Sequence, residues 1–250
     1  MSRFHITLII ALLLAAVALA SGSFFLLVTA MVALIFRVGL GVAIPQMNFF
    51  GPFICRGDNS QRRVALTFDD GPDARSTPAL LDVLRDETIE ATFFCIGKNA
   101  EANRELTARL LREGHLLGNH TFNHSNFTNS FTAARLRGEL VETQTAIQDA
   151  TGFAPQWFRP PMGLSNPRTF RVAQALGLKV IGWSARGLDT LGGDPQKIVA
   201  RIVRRLEPGA IILLHDGNIP ADRLVLTVKL LLANLRERGY EVARLDKILK

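Results

Sequence analysis

Thr67-Phe68-Asp69-Asp70-Gly71-Pro72 follows the apolar run Val64-Ala65-Leu66, so two adjacent carboxylates stand where a short strand ends and a turn begins. Side chains alternate along a strand, but at its mouth two neighbours can lean into one cavity. Two like charges that close are unstable unless one binds a metal or takes a proton. Taken alone, the stretch fits equally well an ordinary Asp-Gly-Pro turn after a buried strand. The rest of the chain decides between these two readings.

From Arg63 onward, short apolar runs alternate with helical patterns. Candidate strands cover residues 64–68, 91–96, 115–118, 156–159, 179–183, 210–214 and 241–243. Helix starts are marked by Ser76-Thr77-Pro78, Asn166-Pro167 and Asp194-Pro195, where a capping side chain precedes a first-turn proline. Glu113-Gly114 and Leu176-Gly177 mark helix ends. Leu136, Leu140, Thr143 and Ile147 form the stripe of a long helix before Gly152. Strands alternating with helices predict an α/β fold with a parallel sheet. About seven such units suit a barrel better than a short open sheet. The sequence contains no internal repeat and no low-complexity linker.

The N-terminal fifth has a different composition. Residues 1–55 carry only Arg3 and Arg37 as charges, leaving 27 of the 29 basic residues and all 22 acidic ones beyond it. The uncharged run from Ile6 to Phe36 would be about 46 Å long as one helix, too long for a single ordinary span of a ~30 Å hydrocarbon core. Ser21-Gly22-Ser23 interrupts it, which predicts a membrane hairpin with spans near 5–20 and 24–44 and Arg37 snorkelling from the second. Two rivals stand beside it. Ala18-Leu19-Ala20 fits a signal-peptide cleavage site, and one tilted span could end near Phe36. Residues 1–55 then form anchor and linker, and 56–250 the functional domain. Arg3, Arg37, Arg56, Arg62 and Arg63 flank the hairpin's ends and none lies at its turn. The positive-inside rule places the domain on the cytoplasmic side of a bacterial-type inner membrane. The net basic balance suits a bilayer surface, and no nucleic-acid motif is present. Cys95 reads as a buried thiol in a strand and Cys55 as a linker residue; a pairing between them needs an oxidising compartment.

In a βα barrel, reactive groups gather on the loops after the strands. Asp69 and Asp70 end the first candidate strand, and His120 and His124 follow the third. Arg159 ends the fourth in Phe158-Arg159-Pro160-Pro161-Met162-Gly163, and Asp189 lies beyond the fifth. His215 and Asp216 end the sixth after Leu213-Leu214. Histidines at i and i+4 face the same way on one helical turn and suit one metal ion, although such a pair is more often a surface or capping feature. No glutamate follows His120, so the zinc-protease helix signature is absent. Two neutral imidazoles plus a carboxylate would leave a divalent ion an open position for water. Arg159 alone reads as a structural arginine, His215 alone as a core histidine, and Trp183 as core; His5 and His115 read as structural.

Together, Thr67–Pro72, His120-x3-His124, Arg159-Pro160-Pro161, Trp183 through Asp189 and Leu213–Asp216 resemble the NodB-homology polysaccharide deacetylases, carbohydrate esterase family 4. The resemblance spans about residues 62–245 and excludes the apolar segment. It implies a distorted (β/α) barrel and hydrolysis of an N-acyl group, usually acetyl, from an amino sugar. By matching positions it implies that Asp70, His120 and His124 ligate one divalent ion, with zinc the family expectation. It also implies that Asp69 is the general base, held by Arg159, and that His215 is the general acid, oriented by Asp189. The backbone N–H of Met162 sits at the family's oxyanion position.

The departures from the pattern lie around the groove. Met162 stands where the family commonly has tyrosine, and Ser125 replaces a proline. Arg186 and Thr190 replace an aspartate and a tryptophan in the fourth motif. The expected partners are therefore a bilayer and an N-acylated amino-sugar glycan or glycolipid, with no nucleic acid. Two alternatives are a deformylase of a lipid-linked amino sugar and, from another class, a non-catalytic saccharide-binding membrane protein. The sequence does not fix the oligomeric state.

Overall fold

A computed structural model describes residues 2–249. Two helices come first, α1 (Arg3–Ala20) and α2 (Phe24–Ala43), packed antiparallel across Ser21-Gly22-Ser23. Ser2 and Ser23 cap their N-termini through side-chain oxygens. Both are long and apolar enough to cross a membrane, and most of their large side chains face outward.

The remainder alternates strands and helices. β1 (Arg63–Asp69), α3 (Thr77–Asp86), β2 (Thr92–Cys95), α4 (Gly97–Ala102), α5 (Arg104–Arg112) and β3 (Leu116–Asn119) form the first part. Then come α6 (Ala133–Thr151), β4 (Trp157–Phe158), α7 (Pro167–Ala175), β5 (Lys179–Val180) and β6 (Ala185–Arg186). α8 (Pro195–Val203), β7 (Ile211–His215), α9 (Ala221–Glu237), β8 (Glu241–Ala243) and α10 (Leu245–Ile248) complete the chain. All strand pairs are parallel, in the order β5-β4-β3-β2-β1-β7-β6, with β8 beside the start of β1. This is the parallel sheet expected from the alternation, curled into the distorted (β/α) barrel that the family resemblance implies. β6 was not anticipated, because two residues carry no readable period, and β4 and β5 are shorter than their apolar runs.

β1 sits at the centre of the sheet, and Val64 through Phe68 are wholly buried. Alternate residues serve two cores. Leu66, Phe68, Ile212 and Leu214 pack outward against Leu80 and Leu84 of α3 and Leu231 of α9. Ala65, Ile211 and Leu213 pack inward with Phe94, Trp157 and Trp183. That parity sends Thr67, Asp69 and His215 inward as well, which delivers the chemistry-bearing side chains to the barrel mouth.

The edge strands β5 and β6 do not pair with each other. The chain coming in from α2 runs between the end of β5 and the start of β7: Ile54 bridges to Ile181, and Arg56 bridges to Ala210. Phe49, Phe50 and Phe53 are buried among Phe131, Phe158 and Phe170. The stretch from 49 to 56 is thus part of the barrel's wall rather than a loose tether. Cys55 and Cys95 are both unpaired, and Cys95 is fully buried.

Candidate active site

Asp69 and Asp70 reach one pocket by different means. Asp69 points inward by the period of β1. Asp70 would point outward on a regular strand, but its φ of 74° turns the backbone left-handed and swings the carboxylate back. Asn99 Nδ2 donates to the Asp70 carbonyl at 2.9 Å and holds this turn.

Arg159 lies beneath Asp69, fully buried. Its Nη1 donates to Asp69 Oδ1 at 2.6 Å and to Thr67 Oγ1 at 2.9 Å, and its Nη2 to the Gly182 carbonyl at 3.0 Å. The guanidinium also lies over the Phe94 ring, 4.1 Å from its centroid. A carboxylate gripped this way has one oxygen committed to arginine and the other available to the pocket.

His120 and His124 converge on Asp70, but not as the helical turn their spacing suggests. Residues 120–124 form an irregular loop with positive φ at Thr121 and His124. Strain of this kind persists where surrounding contacts over-determine it. Those contacts come from Asn119, whose Oδ1 accepts the Thr121 N–H at 2.9 Å, and from Glu139 on α6. The buried Glu139 carboxylate accepts N–H bonds from Phe122, Asn123 and the Asn123 side chain at 2.8–3.0 Å. Glu139 escaped the sequence reading. Its signal is an acid on the face of α6 that also buries Leu136, Leu140 and Thr143.

The Arg159 carbonyl lies 2.7 Å from His120 Nδ1, which fixes Nδ1 as the protonated nitrogen and leaves Nε2 as the lone-pair donor. His120 Nε2 and His124 Nε2 stand 3.4 and 3.2 Å from Asp70 Oδ1. That oxygen is buried and makes no aligned hydrogen bond. One donor atom from each of the three residues lies within 4.8 Å of the others. Two imidazoles and an otherwise unsatisfied carboxylate oxygen suit a divalent cation of the zinc type. Burial works against the Asp70 carboxylate, but positive charge on the His120 side, then the His124 side, where a cation would sit, outweighs this and holds its pKa at about 2.

Opposite them, Asp189 grips His215 twice: Oδ2 accepts its backbone N–H at 2.9 Å, and Oδ1 lies 3.0 Å from Nδ1. Burial opposes the charged imidazole, yet the hydrogen bond and charge of Asp189, then Asp69 and Asp70, raise the His215 pKa to about 9. Its neighbour Asp216, to which the sequence reading gave no role, is wholly buried behind the site. Thr77 Oγ1 donates to its Oδ2 at 2.6 Å, Oδ1 has no partner, and burial pushes its pKa up to about 7. Asp216 also explains why Ser76 does not cap α3: its hydroxyl donates to the Asp216 carbonyl instead.

The pocket between these groups is about 250 Å³. Asp69, Asp70, His120, His124, Asp189, His215 and the half-exposed Met162 all line it, while Arg159 acts from behind. Met162 has φ 57° within a short 3₁₀ turn. Arg186 lines the rim, its guanidinium 5.7 Å from the Trp183 ring centroid. Just after α2, Gln46 Nε2 donates to the Trp183 carbonyl at 2.7 Å, and Pro45 packs close to Gly163.

Residues 56–181 match the family model described as Polysaccharide deacetylase. A Bacillus cereus peptidoglycan-N-acetylglucosamine deacetylase is 34% identical over 194 residues, covering 77% of this chain and 90% of the relative. The solved structure of the Bc1960 peptidoglycan N-acetylglucosamine deacetylase superposes with a TM-score of 0.74 at 29% identity, covering 78% of this chain and 91% of that one. A CE4 family pseudoenzyme from Bacillus anthracis superposes equally well, with a TM-score of 0.74 at 26% identity over 80% of this chain and 69% of its own.

Proposed function

Because this chain belongs to the polysaccharide deacetylase family, we propose that it is a bilayer-anchored, metal-dependent hydrolase that removes an N-acyl group, most simply acetyl, from an amino sugar. It is a hydrolase of amide bonds of the deacetylase type. Likeness of fold alone does not carry catalysis, since a pseudoenzyme shares it. The observation that carries the reading is the convergence of a gripped carboxylate, a three-residue metal cradle and a charged histidine on one pocket.

In this mechanism Asp69 accepts the proton of the attacking water through the oxygen that Arg159 leaves available. Arg159 fixes the carboxylate's position and balances its charge. Held by Asp70, His120 and His124, a divalent ion would polarise the acyl carbonyl and acidify water at neutral pH. The Met162 N–H is the donor assigned to the developing oxyanion. His215 carries its proton to the amine nitrogen as the C–N bond breaks, and Asp189 keeps that proton in place at neutral pH.

The substrate we assign is an N-acylated amino sugar within a glycan or a lipid-linked saccharide. Contact between the exit of α2 and the pocket wall at Trp183 and Gly163 favours an amphiphilic substrate presented at the bilayer. The test is to offer soluble chitooligosaccharides and lipid-linked N-acyl saccharides to the purified full chain and identify the released acid. Acetate release that a chelator abolishes is the expected result; formate would identify a deformylase. No acid from any substrate, in metal-replete protein, would overturn the enzymatic reading. Reporters fused at the C-terminus decide which side of the membrane the domain faces.

A further inference from the structure

The facing sides of α1 and α2 border an open groove of about 410 Å³ that shares no lining residue with the catalytic pocket. Its mouth carries Arg3, Thr7 and Arg37. Its walls are apolar, with Ile10 and Leu14 on α1 and Ala30 and Ala33 on α2, whose small side chains open the groove. The two helices are antiparallel, so the first turn of α1 and the last turns of α2 lie at the same, domain-facing end. Both arginines therefore belong at the headgroup level of a bilayer, and the apolar walls run into its interior.

The arginines are held but not neutralised. Arg37 Nε donates to Thr7 Oγ1 at 3.2 Å, and its guanidinium lies 5.9 Å from the Phe49 ring centroid. Arg3 Nη1 donates to the Met47 carbonyl at 3.0 Å. Neither has a carboxylate partner among the described residues, and the sequence has no acid before Asp58. A second cavity on the other side of Arg3 adds His5 and Arg171 and again no acid. Two exposed guanidiniums at the mouth of one apolar groove, with no acid beside them, favour an anion held between them. Arginine's planar fork is suited to phosphate.

From this amphiphilic shape, and resting on the membrane reading above, we infer that the hairpin groove is a binding site for an anionic phospholipid. The lipid's phosphate sits on Arg3 and Arg37, and one acyl chain lies between α1 and α2. The groove and the catalytic pocket have no residue in common, so the occupant assigned is a lipid of the bilayer, with the tail of a substrate as the alternative that isoprenyl phosphate competition tests.

The test is native mass spectrometry of the full chain in a neutral detergent, titrated with phosphatidylglycerol or with phosphatidylcholine of the same acyl chains. A one-to-one adduct favouring phosphatidylglycerol by about tenfold is expected, with the preference lost in an Arg3→Ala/Arg37→Ala double variant. Equal binding of the two lipids, or an unchanged preference in the double variant, would overturn the site. So would displacement of phosphatidylglycerol by an isoprenyl phosphate at equal concentration. Hydrolysis of a soluble chitooligosaccharide by the variant serves as the folding control and is expected to be unchanged. If the double variant does not fold, competition between the two lipids on the unaltered chain still decides. Release of the chain from membranes by alkaline carbonate would remove the membrane reading and this site with it, whereas loss of lipid preference alone leaves the hydrolase reading intact.

Discussion

Arg159 Nη1 stands 2.6 Å from Asp69 Oδ1 in an ion pair with almost no access to solvent. Removing one partner of such a pair leaves the other charge buried, a loss of about 3–5 kcal/mol. Asp69→Asn and Arg159→Met should each lower stability by that order, and the double substitution should cost less than the two singles combined. A denaturant-unfolding cycle on metal-free protein reads this coupling. Turnover should fall by about 10²–10⁴ in Asp69→Asn, since the proton acceptor is lost. An additive cycle would show that the pair is not a unit.

As the proposed general acid, His215 would set the high-pH limb of the reaction. With its pKa raised to about 9, the imidazole holds its proton through neutral pH, and kcat should fall only as pH rises past that value. Burial alone would push the pKa the other way, and Asp189 supplies the largest opposing contribution. Asp189→Asn should therefore move the high-pH limb downward by at least one pH unit, a shift of about 1.4 kcal/mol. A pH–kcat profile that does not move would assign that limb to another group.

Binding of a divalent ion to the cradle of Asp70, His120 and His124 should stabilise the fold as well as permit turnover. At a thousandfold excess over its dissociation constant, an ion that binds only folded protein adds about 4 kcal/mol. Chelation should lower the melting temperature and abolish acid release, both restored by zinc. His124→Ala should cut bound metal, measured by elemental analysis, while leaving Asp69 and Arg159 paired. Unchanged metal content in that variant would exclude His124 as a ligand. Glu139→Gln, which weakens the loop's anchor, should lower metal affinity by about 10–100-fold.

Asp216 gives the fold its own pH dependence. Its folded pKa of about 7 lies above the ordinary carboxyl value, so the folded state binds its proton more tightly. The stability this contributes is complete below about pH 4 and is lost as pH rises toward 7, an effect of at most about 4 kcal/mol. Asp216→Asn removes the titrating group and should flatten the stability profile between pH 4 and 7. The check is a series of urea-unfolding midpoints with and without the substitution.

The barrel was legible because β1, β2, β3 and β7 announce themselves as apolar runs bounded by turns, and because capping residues such as Asn166 and Asp194 start helices where the structure has them. The candidate site residues were legible by position, since each ends or follows a strand. Their geometry was not. The convergence of Asp70 and His124 depends on left-handed backbone at both residues, which no side-chain period encodes. β6 was invisible because its two residues are ordered by pairing with β7 rather than by their own propensity. Glu139 went unread and Asp216 was named without a role for a shared reason: each is an acid made tolerable in the interior by partners elsewhere in the sequence.

The chain arriving from α2 is bridged to the end of β5 and the start of β7 before β1 begins. Were α1 and α2 to span a bilayer as proposed, the catalytic mouth would not swing on a leash; it would be held at a set height like a reading head above a tape. On the proposed membrane reading, acyl groups carried at that height would be the ones most readily reached, so distance from the membrane would favour some substrates before any sugar contact does. Lengthening the segment between Ala43 and Phe49 would change that height without touching a catalytic residue.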